Sequence, residues 1–252
     1  VGEMIKVENK EGYSVITLNR PDKLNALNLQ MRTELISKLK EINSNREIRA
    51  VILTGEGRAF CVGADVNELA QDFADDLRQT FYPIVREIRF SDKIYIAAIN
   101  GVTAGACIGI ALSTDIKIAR RDVRFVTAFQ RLGLTSDTGV AYFLLKLVKN
   151  QRAYELAVLG GEFTAEEAEK WGLLKISENP LQEAESLAKK IVSGPFQSYV
   201  AGKKLANLIL YSDLEKFLEY ESSIQGYLGK TEDFKEGISS FKEKKEPKFK
   251  GI

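Results

Sequence analysis

The sequence predicts an α/β protein whose second half turns almost wholly helical. Up to about residue 127, short runs of Val, Ile and Leu alternate with segments of 3.6-residue apolar spacing. That is the strand–helix–strand order of a layered fold with right-handed crossovers. From Thr138 onward the spacing is helical throughout, apart from Leu173–Ile176, a candidate edge strand.

The elements follow in order. After an opening in which charged and apolar residues alternate (Val1 to Lys6), Ile5–Glu8 reads as a strand and Glu11-Gly12 as a turn. Tyr13–Asn19, with Val15, Ile16, Thr17 and Leu18, is a second strand built from good β-formers. Asn28 is placed to cap a helix whose stripe is Met31, Leu35, Leu39 and Ile42. Ala50–Thr54 is continuously apolar, as a strand covered on both faces should be. A helix over Leu69–Arg89 leads to the buried strand Ile94–Ile99, with further strands at Asp115–Ala119 and Arg124–Val126. Helices are then expected over Ala141–Val148, Gln151–Leu159, Thr164–Lys170, Glu183–Val192, Phe196–Leu210, Asp213–Gly226 and Glu232–Lys244. Pro180 and Pro195 sit near helix starts, where proline fits. No internal repeat is visible. The chain divides into an α/β core, residues 1–190, and a helical region, residues 191–252. That last region carries more apolar surface, including Leu205, Leu208, Ile209, Tyr220 and Tyr227, than a loose appendage would. It either packs on its own core or also covers a neighbouring subunit.

Composition narrows the chemistry. Of 252 residues, 44% are apolar and 28% charged, an ordinary globular balance. Lys plus Arg number 36 against 35 Asp plus Glu, so a net charge of +1 points to neither nucleic acid nor an anionic membrane as partner. There is no histidine, which excludes Ser-His-Asp and Cys-His catalysis and imidazole-based metal sites. Cys61 and Cys107 lie far apart in the sequence and form no CxxC pair, so no oxidising compartment is implied. No apolar run resembles a signal sequence or reaches membrane-spanning length. A soluble cytoplasmic protein is expected, and any general acid or base must be Asp, Glu, Lys, Tyr or Cys.

Four segments stand out. Thr54 to Asp65, directly after a strand, holds Gly55, Gly57 and Gly63. Such a junction can turn sharply and leave amide N–H groups facing a ligand, and Asp65 before Val66 reads as a helix N-cap. Asn100 to Leu112 places Gly101, Gly105 and Gly109 at every fourth position, a thin helix face whose N-terminal amides could stabilise a developing oxyanion. It is no nucleotide-binding signature, having neither GxGxxG offsets nor a P-loop lysine. Phe125 to Gly139 embeds one carboxylate, Asp137, among apolar, small and hydroxylic residues. Partial burial would raise its pKa toward proton-transfer range, although an Asp before Thr-Gly and a helix is equally an ordinary N-cap. Arg131 reads as a solvated ion pair or interface contact. Basic residues around Lys23 and over Lys242–Lys250 could meet a phosphate or merely be solvated.

These residues resemble the crotonase family, the enoyl-CoA hydratase/isomerase superfamily. The resemblance runs through Leu18 to Leu27, Phe60 to Glu68, Ala98 to Ala111, Asp115 to Ala119 and Leu156 to Leu173. It implies a crotonase-like ββα spiral with a helical C-terminal region that serves trimerisation and covers the active site, in trimers or dimers of trimers. It also implies an acyl-CoA thioester as substrate, with coenzyme A part of that substrate, and neither a prosthetic group nor a metal. By motif position, the thioester oxygen would be held by the Ala64 and Ala106 amides. The CoA moiety would lie near Lys23, Leu24, Ala26, Asp65 and Val66, with Lys244 approaching its phosphates, often from a neighbouring subunit.

The departures from the hydratase pattern carry the choice of reaction. The two glutamates that handle water in the related hydratases are replaced here by Gly109 and Phe129. The third segment instead resembles the phenylacetate-pathway isomerases and the enoyl-CoA isomerases, whose aspartate base corresponds to Asp137. The resemblance therefore implies an isomerase that moves a double bond or rearranges an epoxide, with Phe129, Gly109 and Leu134 lining the substrate pocket. The alternatives are an enoyl-CoA hydratase with displaced acid–base groups, other crotonase chemistry such as hydrolysis or decarboxylation, and an acyl-CoA-binding protein with little turnover.

Overall fold

The computed structural model describes residues 2–252; Val1 lies outside them. The chain runs through β1 (Ile5–Asn9), β2 (Tyr13–Leu18), α1 (Leu29–Ser44), β3 (Ala50–Gly55), β4 (Ala59–Cys61), α2 (Phe73–Asp76) and α3 (Tyr82–Arg89). There follow β5 (Ile94–Ile99), β6 (Val102–Ala104), α4 (Ala106–Ser113), β7 (Ile116–Ala119), β8 (Arg124–Thr127), α5 (Val140–Leu147), α6 (Gln151–Leu159) and β9 (Gly161–Thr164). The chain ends in α7 (Ala165–Lys170), β10 (Lys175–Ile176), α8 (Pro180–Ser193), α9 (Phe196–Leu210), α10 (Leu214–Leu228) and α11 (Glu232–Lys242).

The strands form two sheets, ordered β1-β2-β3-β5-β7-β10 and β4-β6-β8-β9. Pairs β1–β2 and β8–β9 are antiparallel and the others parallel. A strand of the first sheet is followed at once by a short strand of the second and then by helix: β3-β4-α2, β5-β6-α4 and β7-β8-α5. The architecture is thus a wound series of ββα units, a structural repeat that the sequence does not display. The second sheet is the part sequence patterning misses. Its strands β4, β6 and β9 have only three or four residues, too few for a period-two pattern to emerge.

The two faces of the first sheet explain its continuously apolar strands. Along β3, Val51 and Leu53 join the main core beneath α1, α3, α4 and α5. Ala50 and Ile52 face the other way, onto Ala184, Ala188 and Ile191 of α8. Met31, Leu35, Leu39 and Ile42 are all buried, and Asn28 Oδ1 accepts the Met31 N–H at 2.8 Å, as the capped stripe requires.

The long helix expected over Leu69–Arg89 is broken into α2, a π-helical turn at Leu77–Phe81, and α3. Helix α9 is tied to the core by a buried charge cluster. Lys203 Nζ donates to Asp115 Oδ2 at 3.0 Å and to the Lys93 carbonyl at 2.7 Å, and Arg89 pairs with Asp115. Burial brings the Lys203 ammonium down to about 8. Cys61 on β4 and Cys107 in the first turn of α4 are joined as a disulfide across a Cα separation of 5.7 Å. Among the described residues no helix is long and apolar enough to cross a membrane, and no three or more His, Cys, Asp or Glu side chains are disposed to hold a metal ion.

Candidate active site

The second sheet brings the two glycine-rich segments into contact. Gly63 and Gly105 both adopt left-handed backbone, at φ +96° and +56°. A Cβ on Gly63 would stand 3.3 Å from the Ala104 carbonyl and 3.7 Å from the Ala106 nitrogen, so the approach depends on a bare backbone. Ala64 and Ala106 consequently line one cavity of about 120 Å³. Ala106 is the first residue of α4, where a helical N–H has no partner within the helix, and neither its N–H nor that of Ala64 meets a protein acceptor among the described residues.

The segment at residues 23–26 is fastened to this wall. The Leu27 N–H donates to the Gly63 carbonyl at 2.8 Å, and the Asp65 N–H donates to the Leu27 carbonyl at 3.1 Å. Arg20 Nη1 spans Asp65 Oδ2 at 2.7 Å and the Ala26 carbonyl at 3.1 Å. Ala26 and Asp65 are thereby tied to the rim of the cavity, which Ala64 and Val66 line; Lys23 and Leu24 precede Ala26 on the same segment but do not line the cavity themselves. Asp65 does act as a cap, accepting the Asn67 N–H at 3.0 Å, but only of a single 3₁₀ turn, Val66–Glu68, so the helix end expected behind Gly63-Ala64 is not there. Lys244 is not at this rim within the chain. It follows α11, lining a separate groove with Arg131 and Phe249.

Asp137 does not cap a helix. Helix α5 begins at Val140 behind Gly139, without a side-chain cap. The Asp137 carboxylate instead lines the cavity and is held from two sides. Thr138 Oγ1 donates to Oδ1 at 2.8 Å, and Gln225 Nε2 donates to Oδ2 at 2.9 Å. Burial pushes the carboxyl up to about 6; these two bonds pull the other way, and the nearby Asp76 charge adds to the rise. The turn beneath it is braced by Glu221, which accepts the Gly139 N–H at 3.2 Å and the Tyr82 hydroxyl at 2.9 Å. Burial drives the Glu221 carboxyl well above the usual range.

Phe129 and Leu134 line the cavity as expected, with Leu69, Phe73, Leu77 and Phe81 supplying further apolar wall. Gly109 does not. A Cβ there would lie 2.1 Å from the Thr138 carbonyl, so Gly109 is the floor on which the Asp137 turn rests rather than a pocket residue. Sequence reasoning also missed Gln225, Glu221 and Asp76. The available signal was polar Glu221 and Gln225 continuing the helical spacing set by the buried Leu214 and Leu218 of α10.

The family model for enoyl-CoA hydratase/isomerase matches residues 8–252. This chain belongs to that family. The 1,2-epoxyphenylacetyl-CoA isomerase of Escherichia coli is 35% identical to it over 99% of both chains. The 2,3-dehydroadipyl-CoA hydratase of the same organism is 31% identical over 97% of this chain and 98% of the relative. The crystal structure of an enoyl-CoA hydratase from Mycobacterium avium subsp. paratuberculosis superposes with a TM-score of 0.90 at 27% identity, covering 98% of this chain and 99% of the other. Membership places the chain among the acyl-CoA-processing enzymes of the crotonase superfamily. Because isomerase and hydratase names both occur among its relatives, the choice of reaction turns on the side chains around the cavity.

Proposed function

We propose that the protein is an acyl-CoA isomerase that moves a double bond, or rearranges an epoxide, through proton transfer at Asp137. The observation that carries this reading is one apolar cavity shared by two unpaired backbone N–H groups, at Ala64 and Ala106, and the Asp137 carboxyl, raised to about 6. The thioester oxygen sits on the two amides, which stabilise the negative charge it gains when a proton leaves C2. Asp137 takes that proton from a 3-enoyl-CoA, and the dienolate recovers it at C4 to give the conjugated 2-enoyl-CoA. One carboxylate serves both steps because the intermediate stays within its reach. The apolar walls keep water from the dienolate.

The segment Lys23, Leu24 and Ala26, with Asp65 and Val66, receives the CoA moiety. Lys244 reaches the phosphates from a neighbouring subunit in a trimer or dimer of trimers. Hydration is disfavoured by two features near Asp137. The Gly109 position has no room for a side chain, and Phe129 presents a ring where an acid–base group would hold water.

The test is a parallel spectroscopic assay of 3-enoyl-CoA and 2-enoyl-CoA with the wild type and Asp137→Asn. Double-bond migration by the wild type, reduced by about 10²-fold or more in the variant with thioester affinity retained, is the expected result. Equal hydration of 2-enoyl-CoA by both proteins, without migration, would overturn the reading.

A further inference from the structure

Asp76 gives the cavity a second carboxylate, one that the proton transfer at Asp137 does not use. It ends α2 immediately before the π-helical turn Leu77–Phe81, a local geometry that recurs at functional positions. Its anchoring is one-sided. Arg32 Nη2 donates to Oδ1 at 3.0 Å, and the Thr80 hydroxyl, whose one proton serves either the Asp76 carbonyl at 2.8 Å or the same Oδ1 at 2.9 Å, stands beside it. Arg32 is itself fixed: it is 3% exposed, donates to the Leu27 carbonyl at 2.9 Å and to Thr80 Oγ1 at 3.0 Å, and lies 4.4 Å from the centre of the Phe81 ring.

Oδ2 of Asp76 has no hydrogen-bond donor among the described residues, and the side chain keeps 17% of its surface open. The wall around it is apolar, with Phe73, Leu77 and Phe81 as neighbours on the same stretch of chain. An ionised oxygen left without a donor beside apolar surface is costly once a ligand displaces water from it, unless that ligand supplies the donor. A carbonyl or ether oxygen on the ligand would meet it lone pair to lone pair, and a second carboxylate would be repelled.

We infer that Asp76 is a specificity-determining residue that accepts a hydrogen bond from the acyl group, so that the cavity selects CoA thioesters whose chain or ring carries a hydroxyl. The inference rests on the acyl-CoA reading above and adds the substrate class. Arg32 and Thr80 hold the acceptor still, which makes its direction selective rather than merely its charge.

Calorimetric titration of the full chain separates this from the reaction itself, because saturated ligands do not turn over. The probes are hexanoyl-, heptanoyl- and octanoyl-CoA, each plain, with a hydroxyl on the penultimate carbon, and with an oxo group there. At one or more lengths the hydroxy form is expected to bind about ten-fold or more tighter than both the plain and the oxo forms. Asp76→Asn leaves an acceptor for Arg32 and Thr80 and turns an amide NH₂ toward the cavity, so the oxo form should gain at that length and the hydroxy advantage shrink. Equal binding of all three forms at every length by the wild type would overturn the inference and leave the acyl-CoA reading standing. An undiminished preference for the hydroxy over the oxo form in Asp76→Asn would remove Asp76 from it. Failure of every thioester to bind would overturn both readings. Should the variant not fold, as judged by circular dichroism, the wild-type comparison decides alone.

Discussion

Gln225 Nε2 lies 2.9 Å from Asp137 Oδ2, joining α10 to the turn ahead of α5. The same amide clamps Thr135 in both directions, donating to its carbonyl at 2.8 Å and accepting its N–H at 3.2 Å. A hydrogen bond to the ionised carboxylate favours that form and so holds the Asp137 pKa below where burial alone would set it. Gln225 belongs to the helical region, yet it touches the proposed acid–base group itself.

Gln225→Met keeps the bulk and removes the donor. Its expected effect is on the pH dependence of isomerisation. In the wild type, kcat/KM should rise with pH through about 6 and level off as Asp137 ionises. In the variant the inflection should move to higher pH. A profile that keeps its inflection while only kcat falls would mean that Gln225 merely packs against the turn.

Asp137→Asn should unfold at higher temperature than the wild type at pH 7, while losing activity. The carboxyl titrates near 6 when folded and near 3.8 otherwise, so between those values the folded chain binds more protons and stability falls as pH rises. Above about pH 6 that loss is complete, and the neutral amide avoids it. A gain of about 1 kcal/mol or more is expected, about 2–4 °C in a chain of this size. The gain should shrink on acidification toward pH 4. Differential scanning calorimetry at the two pH values measures it, and a variant less stable at pH 7 would show that burial of this carboxylate is not a cost.

What the sequence made legible, and what it hid, follows from how local each signal is. The α1 stripe, the Asn28 cap and the strands at 50–55 and 94–99 are written in neighbouring residues, and the structure repeats them within a residue or two. The glycine segments were legible because close approach requires glycine wherever it occurs. Strands β4, β6 and β9 were not, since three or four residues acquire strand geometry only from partners far along the chain. The break in the helix at Leu77–Phe81 did have a local mark, Pro83 at the start of α3, whose missing N–H cannot continue the ladder; the anchoring of Asp76 by Arg32, 44 residues earlier, had none. Asp137 itself was visible as an isolated carboxylate. Its partner Gln225, and Glu221 that braces the turn, were masked by the helical pattern that surrounds them.

Gly109→Ala tests whether that glycine supports the Asp137 turn. An added Cβ would lie 2.1 Å from the Thr138 carbonyl, and that contact is with backbone rather than with the end of a flexible side chain. The turn must shift, carrying Asp137 with it. Urea denaturation should show a loss of about 1–3 kcal/mol, and the remaining folded enzyme should isomerise more slowly without gaining hydration of 2-enoyl-CoA. Unchanged stability and unchanged isomerisation together would contradict the packing described here.

The exposed apolar side chains of α9 and α10 predict self-association. Leu205, Leu208 and Ile209 on α9, and Tyr220 and Tyr227 on α10, are each 64–78% exposed. The isolated chain shows 12,463 Å² to solvent, against the roughly 11,000 Å² that scaling gives for a monomer of this mass. Burying such side chains at about 25 cal/mol per Å² of apolar surface favours association, and closed symmetry is the usual way to bury the same patch on every copy. Sedimentation velocity of the wild type should therefore show an oligomer, and the trimer or dimer of trimers proposed above is the expected size. Leu208→Glu combined with Ile209→Lys should shift it toward monomer while far-ultraviolet circular dichroism stays unchanged, because neither side chain belongs to the core. A wild type that sediments as a monomer at micromolar concentration would remove the neighbouring subunit from the site, and with it the proposed approach of Lys244 to the phosphates.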